Sequence, residues 1–349
     1  MYKKEYLSKV SLKNLNTFKI DVTAKNIVFV KTIRKLIKTI KNCKLFKVPY
    51  LILGEGSNIL FLENYKGVVI FNRIKGIKII EKNKFWMIHV ASGEKWHNLV
   101  TYTLNLGIFG LENMALIPGY VGSSAIQNIG AYNVEFKDVC SYVEVLSLKN
   151  NNSQKIDVNL CKFSYRSSVF KYQYNDYIIT AVGIKLSKIW HPTIFPALKN
   201  YVVLKNITPY KIFNIVCRIR IQKLPNPKKI GNAGSFFKNP IIKKKQASQL
   251  TSLYNLPYYP QKNGLIKISA GWLIEHYDFK NIQIGDAAIY ERQKLILINK
   301  KNATSKEIVK LAEIIQTCIL KRFNILLEPE IDFIGSKGKI NILKIINEK

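Results

Sequence analysis

Near the amino terminus the apolar residues recur with the period of a helix. Over much of the chain beyond, they occur in the short runs typical of strands. The helical stripe, with lysines on the opposite face, consists of Val30, Ile33, Leu36, Ile37 and Ile40. After it, VPYLILGEGSNILFL predicts a strand, a glycine-rich turn and a second strand. Stretches such as YKGVVIF, KFWMIHVASG and NDYIITAVGIKL predict further strands, with little helical periodicity between them. The pattern predicts an α+β region rather than a series of βαβ units.

The last third of the chain has a different organisation. KLPNPKK, with two prolines, predicts a domain boundary at residues 223–229. The compact α/β segment beyond it has one clear helix, which starts at a capping box of Thr304 and Glu307 and ends near Arg322. The buried stripe of this helix is Ile308, Leu311, Ala312, Ile315 and Ile319. NILLEPEIDFIG then predicts a returning strand.

Composition narrows the class of protein. At 349 residues the chain is long enough for two or three domains, and 48% hydrophobic residues exclude a mostly disordered chain. It lacks both the roughly 18-residue apolar run of a membrane-spanning helix and the apolar core of a secretory signal. The five cysteines are isolated, without metal-site spacing, so we expect no metal and free thiols in a reducing cytoplasm.

The formal charge of +33, from 55 basic and 22 acidic residues, raises the question of a nucleic-acid partner. The lysines are scattered, with one tight run at residues 243–245, and Lys, Asn and Ile are abundant throughout. We therefore favour compositional drift and expect no nucleic-acid partner, although a basic surface attracts phosphate-bearing ligands.

Two glycine-rich stretches suit a ligand. LGEGSN, at residues 53–58, either offers converging backbone N–H groups to an anion or forms a plain hairpin turn. Because a strand rather than a helix follows it, it is not a Rossmann fingerprint. The stretch at residues 110–138 sets glycines among serines and amides, and we favour a long polar cofactor lying against it.

One serine has unusual neighbours. In GNAGSFFKNP, Ser235 lies between a flexible glycine-rich lead-in and two phenylalanines, Phe236 and Phe237. No histidine or acid lies nearby in the sequence to make it a hydrolase nucleophile. Taken alone, a loop serine that bonds the local backbone is the simpler interpretation.

Six stretches, in this order, closely resemble the UDP-N-acetylenolpyruvoylglucosamine reductase family: LGEGSNILF, IPGYVGSSAIQNIGAY, YRSSVFK, GNAGSFFKNP, SAGWLIEH and LEPEIDFIG. The resemblance covers about residues 16–335. It implies an FAD-binding domain of the vanillyl-alcohol-oxidase type, made of two α+β subdomains, and a C-terminal α/β substrate-binding domain. The implied ranges are 1–72 (completed by 335–349), 73–222 and 223–334.

The resemblance also implies a reaction. NADPH would reduce bound FAD, and the flavin would pass the hydride to UDP-N-acetylglucosamine enolpyruvate, giving UDP-N-acetylmuramate for peptidoglycan. The matching serine of the family donates the proton, which assigns that role to Ser235. The matching arginine and glutamate, Arg166 and Glu330, would stabilise the substrate enolate. We expect a cytoplasmic, monomeric oxidoreductase acting on small molecules.

The role of Glu330 depends on the resemblance alone. In an extended strand Glu328, Glu330 and Asp332 would share one face, and three carboxylates on one side usually form a solvated surface. The alternation of residues therefore does not distinguish Glu330 from its neighbours.

Binding residues are implied position by position. The family's FAD-binding positions match Gly54, Glu55, Gly56, Ser57, Asn58, Ile117, Pro118, Gly122, Ser123, Ser124, Gln127, Gly130 and Ala131. Its sugar-nucleotide positions match Lys223, Asn239, Tyr259 and Gln293. Lys223 suits the diphosphate, and Tyr259 lies in a stretch that suits a flap closing over the substrate.

Several positions depart from the family pattern. Phe195, followed by Pro196, stands where a substrate-stacking tyrosine is usual; a phenylalanine can stack but has no hydroxyl for a phosphate. Ser167, Ile126 and Asp286 replace a common aspartate, proline and glycine. The catalytic set itself is unchanged.

Two alternatives stay open. An oxidase of the same flavin superfamily would keep the fold, but GNAGSFFKNP and LEPE argue against it. A basic nucleic-acid-binding protein would be colourless and would bind DNA or RNA with a steep dependence on salt.

Overall fold

The structure, a computed structural model, describes residues 9–173, 176–201, 206–261, 263–279, 282–340 and 342. Its helices α1 to α8 are Ile33–Leu45, Trp96–Asn105, Val121–Ser124, Val169–Tyr172, Pro209–Lys223, Lys244–Leu253, Ala270–Tyr277 and Ser305–Phe323. Its strands β1 to β21 are Val10–Ser11, Thr23–Val30, Tyr50–Leu53, Ile59–Phe61, Tyr65–Asn72, Ile77–Glu81, Phe85–Ala91, Gly130–Ala131, Val134–Glu135, Cys140–Ser147, Ser153–Asp157, Tyr177–Ser187, Gly231–Ser235, Ile241–Lys243, Tyr258–Pro260, Leu265–Ile268, Gln283–Ile284, Ala287–Ile289, Ile296–Asn299, Asp332–Ile334 and Lys339–Ile340. The α+β fold class is confirmed.

The described residues divide into two compact units. The terminal unit takes those of 1–26, 56–67 and 223–349, and the central unit takes those of 27–55 and 68–222. The resemblance implies three domain ranges rather than two units, and those ranges stay a prediction.

The central unit is built on a five-stranded antiparallel sheet in the order β11-β10-β12-β7-β6. Inward side chains of this sheet, such as Ile88, Val143 and Val182, pack with α2 and α5 into one hydrophobic core. Strand β3 runs parallel to β5 in the same unit, pairing Tyr50 with Val68.

The terminal unit contains three small sheets. Antiparallel strands form the orders β13-β19-β18-β17 and β14-β16-β15, and β20 lies between β21 and the parallel strand β4. Helix α8 begins at the predicted capping box: the Thr304 hydroxyl accepts from the Glu307 N–H at 3.3 Å, and Thr304 N–H donates to the Glu307 carboxylate at 2.7 Å. Asn324, with φ of 53°, ends it.

Most of the predicted elements are confirmed, including α1, α8 and the strand–turn–strand around LGEGSN. Four expectations are wrong. Val30 ends β2 instead of joining the α1 stripe, and helix α2 occupies a region expected to hold strands and turns. The supposedly flexible lead-in to Ser235 is strand β13, and NILLEPE is irregular, with a strand only from Asp332.

Candidate active site

Ser235 is placed by a bulged strand. Strand β13 pairs with β19 from Gly231 onward, and the register shifts between Asn232 and Ser235. The Asn232 side-chain oxygen accepts from Gly234 N–H at 3.0 Å, and Gly234 has a φ of +72°, which glycine adopts at little cost. The irregularity lies between Asn232 and Ser235, and the half-buried Ser235 rejoins the ladder opposite Ile296 at the last position of the strand.

The two phenylalanines after Ser235 form part of a fixed core. Phe236 and Phe237 are each 1% exposed, and their ring centroids lie 5.0 Å apart in an edge-on contact. Phe236 also meets Phe18 at 6.5 Å and Phe333 at 6.1 Å. Because packed rings of this kind resist displacement, the backbone that carries Ser235 is held in position.

Glu330 lies across the backbone from this segment. Its N–H donates to the Phe236 carbonyl at 2.8 Å, and Phe237 forms an antiparallel bridge with Pro329. Asn58, from the first glycine-rich stretch, donates its side-chain amide to the Glu330 carbonyl at 3.3 Å. The structure therefore brings together Ser235, Glu330 and Asn58, which are far apart in the sequence.

The expectation of three equivalent carboxylates is wrong. Glu330 is buried at 9% exposure, whereas Glu328 is exposed and pairs with Lys238 at 3.0 Å. Asp332 pairs with Lys339 at 2.7 Å. The chain is not a regular strand before Asp332, so the period of two does not hold there.

Arg166, in the central unit, is displayed by a tight turn. Ser164 and Ser167 exchange backbone hydrogen bonds of 3.0 and 3.1 Å, with Tyr165 and Arg166 at the tip. Arg166 has a φ of +54°, a left-handed conformation that costs a non-glycine residue about 1–3 kcal/mol and marks a constrained site. Its guanidinium donates to the Gly130 carbonyl at 3.3 Å, so the turn lies against the second glycine-rich stretch.

Many hydrogen-bond donors of the second glycine-rich stretch bond within the stretch or to residues packed against it. Gly119 N–H donates to the Glu55 carboxylate at 2.8 Å, and Gly122 N–H donates to the Ser92 carbonyl at 2.9 Å. The hydroxyls of Ser123 and Ser124 each donate at 2.6 Å to a carbonyl three residues earlier. These contacts shape the backbone, and FAD contact by these residues stays a prediction.

Two glycines of this stretch are required by close packing. A Cβ on Gly122 would lie 2.6 Å from Cβ of Ser92, and one on Gly130 would lie 2.7 Å from the Val134 carbonyl. Asn128, fully buried with a φ of 46°, donates to the Ser164 carbonyl at 3.2 Å and to the Glu135 carboxylate at 3.0 Å. The loop is thus a preformed surface tied to the turn that carries Arg166.

The first glycine-rich stretch is also anchored. In the central unit the Arg73 guanidinium donates to the Gly54 carbonyl at 2.9 Å and lies 4.4 Å from the Tyr120 ring centroid. In the terminal unit Gly56, with a φ of +66°, accepts from Thr17 N–H at 3.2 Å. The hairpin-turn interpretation is wrong, because the flanking strands do not pair with each other: β3 pairs with β5 and β4 pairs with β20. The anion-binding role stays a prediction.

Arg220, which no motif in the sequence singled out, lies beside this second stretch. Its guanidinium lies close enough to the Tyr132 hydroxyl to interact with it, and Tyr132 directly follows Ala131. Burial lowers the pKa of Arg220, and Tyr132 and Cys217 oppose that shift. The Arg220 Nε atom is shielded from solvent and bonds none of the described residues. A half-buried cation with a shielded donor to spare fits an anionic cofactor such as the diphosphate of FAD.

Arg220→Met should therefore weaken FAD retention. Methionine keeps most of the apolar volume but removes the charge, and we expect FAD to dissociate at least about tenfold more readily, since charged hydrogen bonds contribute roughly 1.5–3 kcal/mol. Fluorescence titration of the flavin into deflavinated protein measures the change. Arg218→Met, an exposed neighbour on the same helix, is the control. Equal affinity in both variants would assign Arg220 to packing alone.

His97 holds the backbone of the second glycine-rich stretch through a hydrogen bond. Its Nδ1 accepts from Leu116 N–H at 3.1 Å, which requires the neutral ring, and Leu116 has a φ of +57° just before Ile117 and Pro118. Burial lowers the pKa of His97, and the Arg220 charge lowers it further.

This shift predicts a pH dependence of stability. Below the unfolded pKa of about 6.5, the unfolded chain takes up a proton that the folded His97 refuses. The free energy of unfolding should fall as the pH drops below that value, until the folded pKa is reached. Asparagine keeps an acceptor but does not titrate, so His97→Asn should flatten this part of a urea-denaturation profile. His191→Asn, at an exposed position, is the control; an unchanged slope in His97→Asn would refute the assignment.

Two of the four positions implied for substrate binding, Asn239 and Gln293, lie at α7. The Asn239 side-chain oxygen accepts from Ala270 N–H at 3.0 Å. A Cβ placed on Gly271 would lie 3.2 Å from Gln293 Oε1, so this side chain also lies beside the first turn of α7. Both amides therefore lie at the helix N-terminus, which favours negative charge. Tyr259, 47% exposed on β15, faces Lys267 on β16, and Lys223 is exposed at the end of α5.

The departures from the family pattern have different structural settings. Phe195 is 3% exposed and its ring centroid lies 4.6 Å from that of Tyr132, so it belongs to the core of the central unit rather than to a stacking surface. Ser167 closes the turn of Arg166, and Ile126 is 36% exposed. The Asp286 carboxylate accepts from Asn302 N–H at 3.1 Å.

Neither a metal cluster nor a membrane-spanning helix is found in the described part of the chain. Within the described ranges no three His, Cys, Asp or Glu side chains converge as metal ligands would. None of the helices in the same ranges has the length and apolar character needed to cross a bilayer.

Comparisons with known proteins agree with the resemblance. Residues 24–151 match the model described as FAD binding domain, and residues 226–334 match the C-terminal domain of UDP-N-acetylenolpyruvoylglucosamine reductase. The reductase of Buchnera aphidicola subsp. Acyrthosiphon pisum is 69% identical over 99% of this chain and 97% of its own. The Escherichia coli K12 reductase is 46% identical over 97% and 99%.

A solved structure shows the same fold. The crystal structure of UDP-N-acetylenolpyruvylglucosamine reductase from Thermus caldophilus covers 93% of this chain and 98% of its own, with a TM-score of 0.65 at 23% identity. The two matched domains and the near-complete alignments with curated reductases agree on one assignment: the chain belongs to the UDP-N-acetylenolpyruvoylglucosamine reductase family.

Proposed function

We propose that the chain reduces UDP-N-acetylglucosamine enolpyruvate to UDP-N-acetylmuramate, with NADPH as hydride source and FAD as carrier. Family membership supports the substrate and both cofactors. The observation that carries the mechanism is the placement of Ser235 and Glu330 on neighbouring backbone segments, one of them anchored by the buried Phe236.

Ser235 donates the proton that completes the reduction. FAD, when bound, supplies the hydride to one carbon of the enolpyruvyl group, and negative charge then develops on the neighbouring carbon. A serine hydroxyl is a weak acid, so it serves only against a strongly basic carbanion that is shielded and aligned with it. The half-buried position of Ser235 beside buried aromatic rings supports the shielding that this role needs.

Arg166 and Glu330 lower the energy of that carbanion by stabilising it as an enolate. A guanidinium is permanently charged and forks onto a carboxylate, which suits charge developing on the substrate's carboxylate. Glu330 assists as a polar partner of the same developing charge. The tight turn that presents Arg166 supports its role, because a fixed cation needs no reorganisation during the reaction.

The sugar nucleotide is held by the terminal unit in this proposal. Lys223 pairs with the diphosphate, while Asn239 and Gln293 add polar contacts at the positive end of α7. Tyr259 belongs to the β15–β16 hairpin, which closes over the bound substrate as a flap. With Phe195 in the core, no aromatic ring at that position stacks on the substrate.

An anaerobic spectral series tests the proposal. The purified protein should show the yellow flavin bands, lose them on addition of NADPH, and regain them on addition of UDP-N-acetylglucosamine enolpyruvate. If the flavin bands bleach with NADPH but do not return with the enolpyruvyl sugar nucleotide, this substrate is refuted. If air, admitted afterwards, reoxidises the reduced flavin rapidly, an oxidase is favoured. A colourless protein that takes up no FAD would refute the whole assignment.

The cellular setting and the assembly state are part of the proposal. All five cysteines are free thiols, which suits a reducing cytoplasm. We infer a monomer, which light scattering during size-exclusion chromatography would test.

A further inference from the structure

One part of the large positive charge is organised rather than scattered. Between Asp21 and Glu55 the sequence contains eight Lys or Arg residues and no acidic residue. Most of them lie on or beside α1, a helix of 13 residues in the central unit. At 1.5 Å per residue the helix presents a straight face about 20 Å long.

The exposed face of α1 combines cations with an apolar end. Leu36, Ile40 and Cys43 are buried, and successive residues of a helix turn by about 100°. Opposite this buried stripe, in line along the helix, lie Arg34, Lys38, Lys41 and Leu45, all exposed. Among the residues that the structure describes, none forms an ion pair with the three cations of this row. The row of charge is therefore available to a partner.

The helix end exposes two large apolar side chains. Leu45 is 74% exposed and Phe46 is 57% exposed. Phe46 N–H donates to the Asn42 carbonyl at 3.0 Å, and Lys47 has a φ of 51°, so the chain turns sharply and leaves both side chains outside. Lys44 and Lys47, also exposed, flank the pair.

We propose that this face of α1 docks against an anionic lipid surface. Cations that attract acidic headgroups, next to apolar side chains that enter the boundary of the acyl chains, are the combination that holds a helix in the plane of a membrane. A shallow groove along the helix adds hydroxyl and amide groups from Thr32, Thr39 and Asn42, which suit headgroup phosphates. A nucleic acid is disfavoured because single strands are held by successive aromatic rings, whereas this end of the helix offers one ring, Phe46, beside the aliphatic Leu45.

Vesicle co-sedimentation of the full-length, FAD-loaded protein tests the proposal. We expect binding to phosphatidylcholine vesicles containing roughly one-third phosphatidylglycerol, and no binding to pure phosphatidylcholine. Raising salt from about 0.1 M to about 1 M shortens the screening length from about 10 Å to about 3 Å and should release the protein.

Three variants locate the surface. Each basic side chain near an anionic leaflet strengthens binding by roughly fivefold, so the triple variant Arg34→Glu, Lys38→Glu, Lys41→Glu should bind at least about 100-fold more weakly. Lys243→Glu, Lys244→Glu, Lys245→Glu makes the same change of charge at exposed positions of the terminal unit and should cost a few-fold at most. Leu45→Ser with Phe46→Ser keeps every charge and should weaken binding by about tenfold. The α1 variants should keep wild-type flavin spectra and turnover, which shows that they fold.

Several results would overturn the docking surface. Equal losses in the two charge triples would mean that net charge alone attracts the lipid. No binding to acidic vesicles, or α1-dependent binding of single-stranded RNA without binding of vesicles, would also refute it.

Discussion

Ser235→Ala should slow the oxidation of reduced flavin by the enolpyruvyl substrate by about 10²–10⁴-fold, the usual effect of losing a general acid. Reduction of the flavin by NADPH needs no proton from this hydroxyl and should keep its wild-type rate. Stopped-flow absorbance at the flavin bands follows each half-reaction separately. The difference between the two rates, rather than overall turnover, is the diagnostic quantity.

The NADPH half-reaction serves as the internal control for this variant. Ser235 is only half-buried and alanine removes a single oxygen, so the bulge and the aromatic core should persist. Equal slowing of both half-reactions would contradict the role of Ser235 as proton donor. An unchanged second half-reaction would contradict it as well and would transfer the proton to another group.

Arg166→Ala should lower the rate of enolpyruvyl reduction by about 10²–10³-fold, because a fixed charge that faces the developing enolate is lost. FAD should stay bound, since the hydrogen bond from Arg166 goes to the Gly130 carbonyl and leaves the packing of that glycine unchanged. Single-turnover absorbance measures the rate, and the ratio of flavin to protein after gel filtration measures retention.

Arg166→Lys is the matched variant, because lysine keeps the charge but loses the planar fork. Its rate should fall between those of the wild type and the alanine variant. A flavin-free Arg166→Ala protein would assign this residue to the structure of the cofactor loop instead.

The structure shows which patterns in the sequence were informative. The α8 helix was predictable because its capping box and apolar stripe are local and agree with each other. Helix α5 was missed although Ile212, Val216 and Ile219 form its buried stripe, because exposed apolar residues such as Ile221, at 70%, blur the period. The same blurring affects α2, whose Tyr102 is 44% exposed.

The candidate site was predictable as a set of residues but not as an arrangement. Nothing local distinguishes Glu330 from Glu328, because their difference in burial comes from the pairing of Pro329 with Phe237. Arg220 had one signal in the sequence, since it follows Val216 at the spacing of one helical turn on the buried side. Its neighbour Tyr132 comes from a distant segment, so the reason for a charge there required the fold.

The pairing that joins Ser235 to Glu330 also sets when the site can form during synthesis. Lys238 and Glu328, which meet beside it, are 90 positions apart in the chain. Contacts of such separation form late, after the intervening loop has been closed. A nascent chain released before its last twenty or so residues would possess Ser235 and the matched FAD-binding segment, yet would lack the backbone partner of Phe236. Premature termination near the carboxyl terminus should therefore yield a chain that contains Ser235 but cannot complete the reaction.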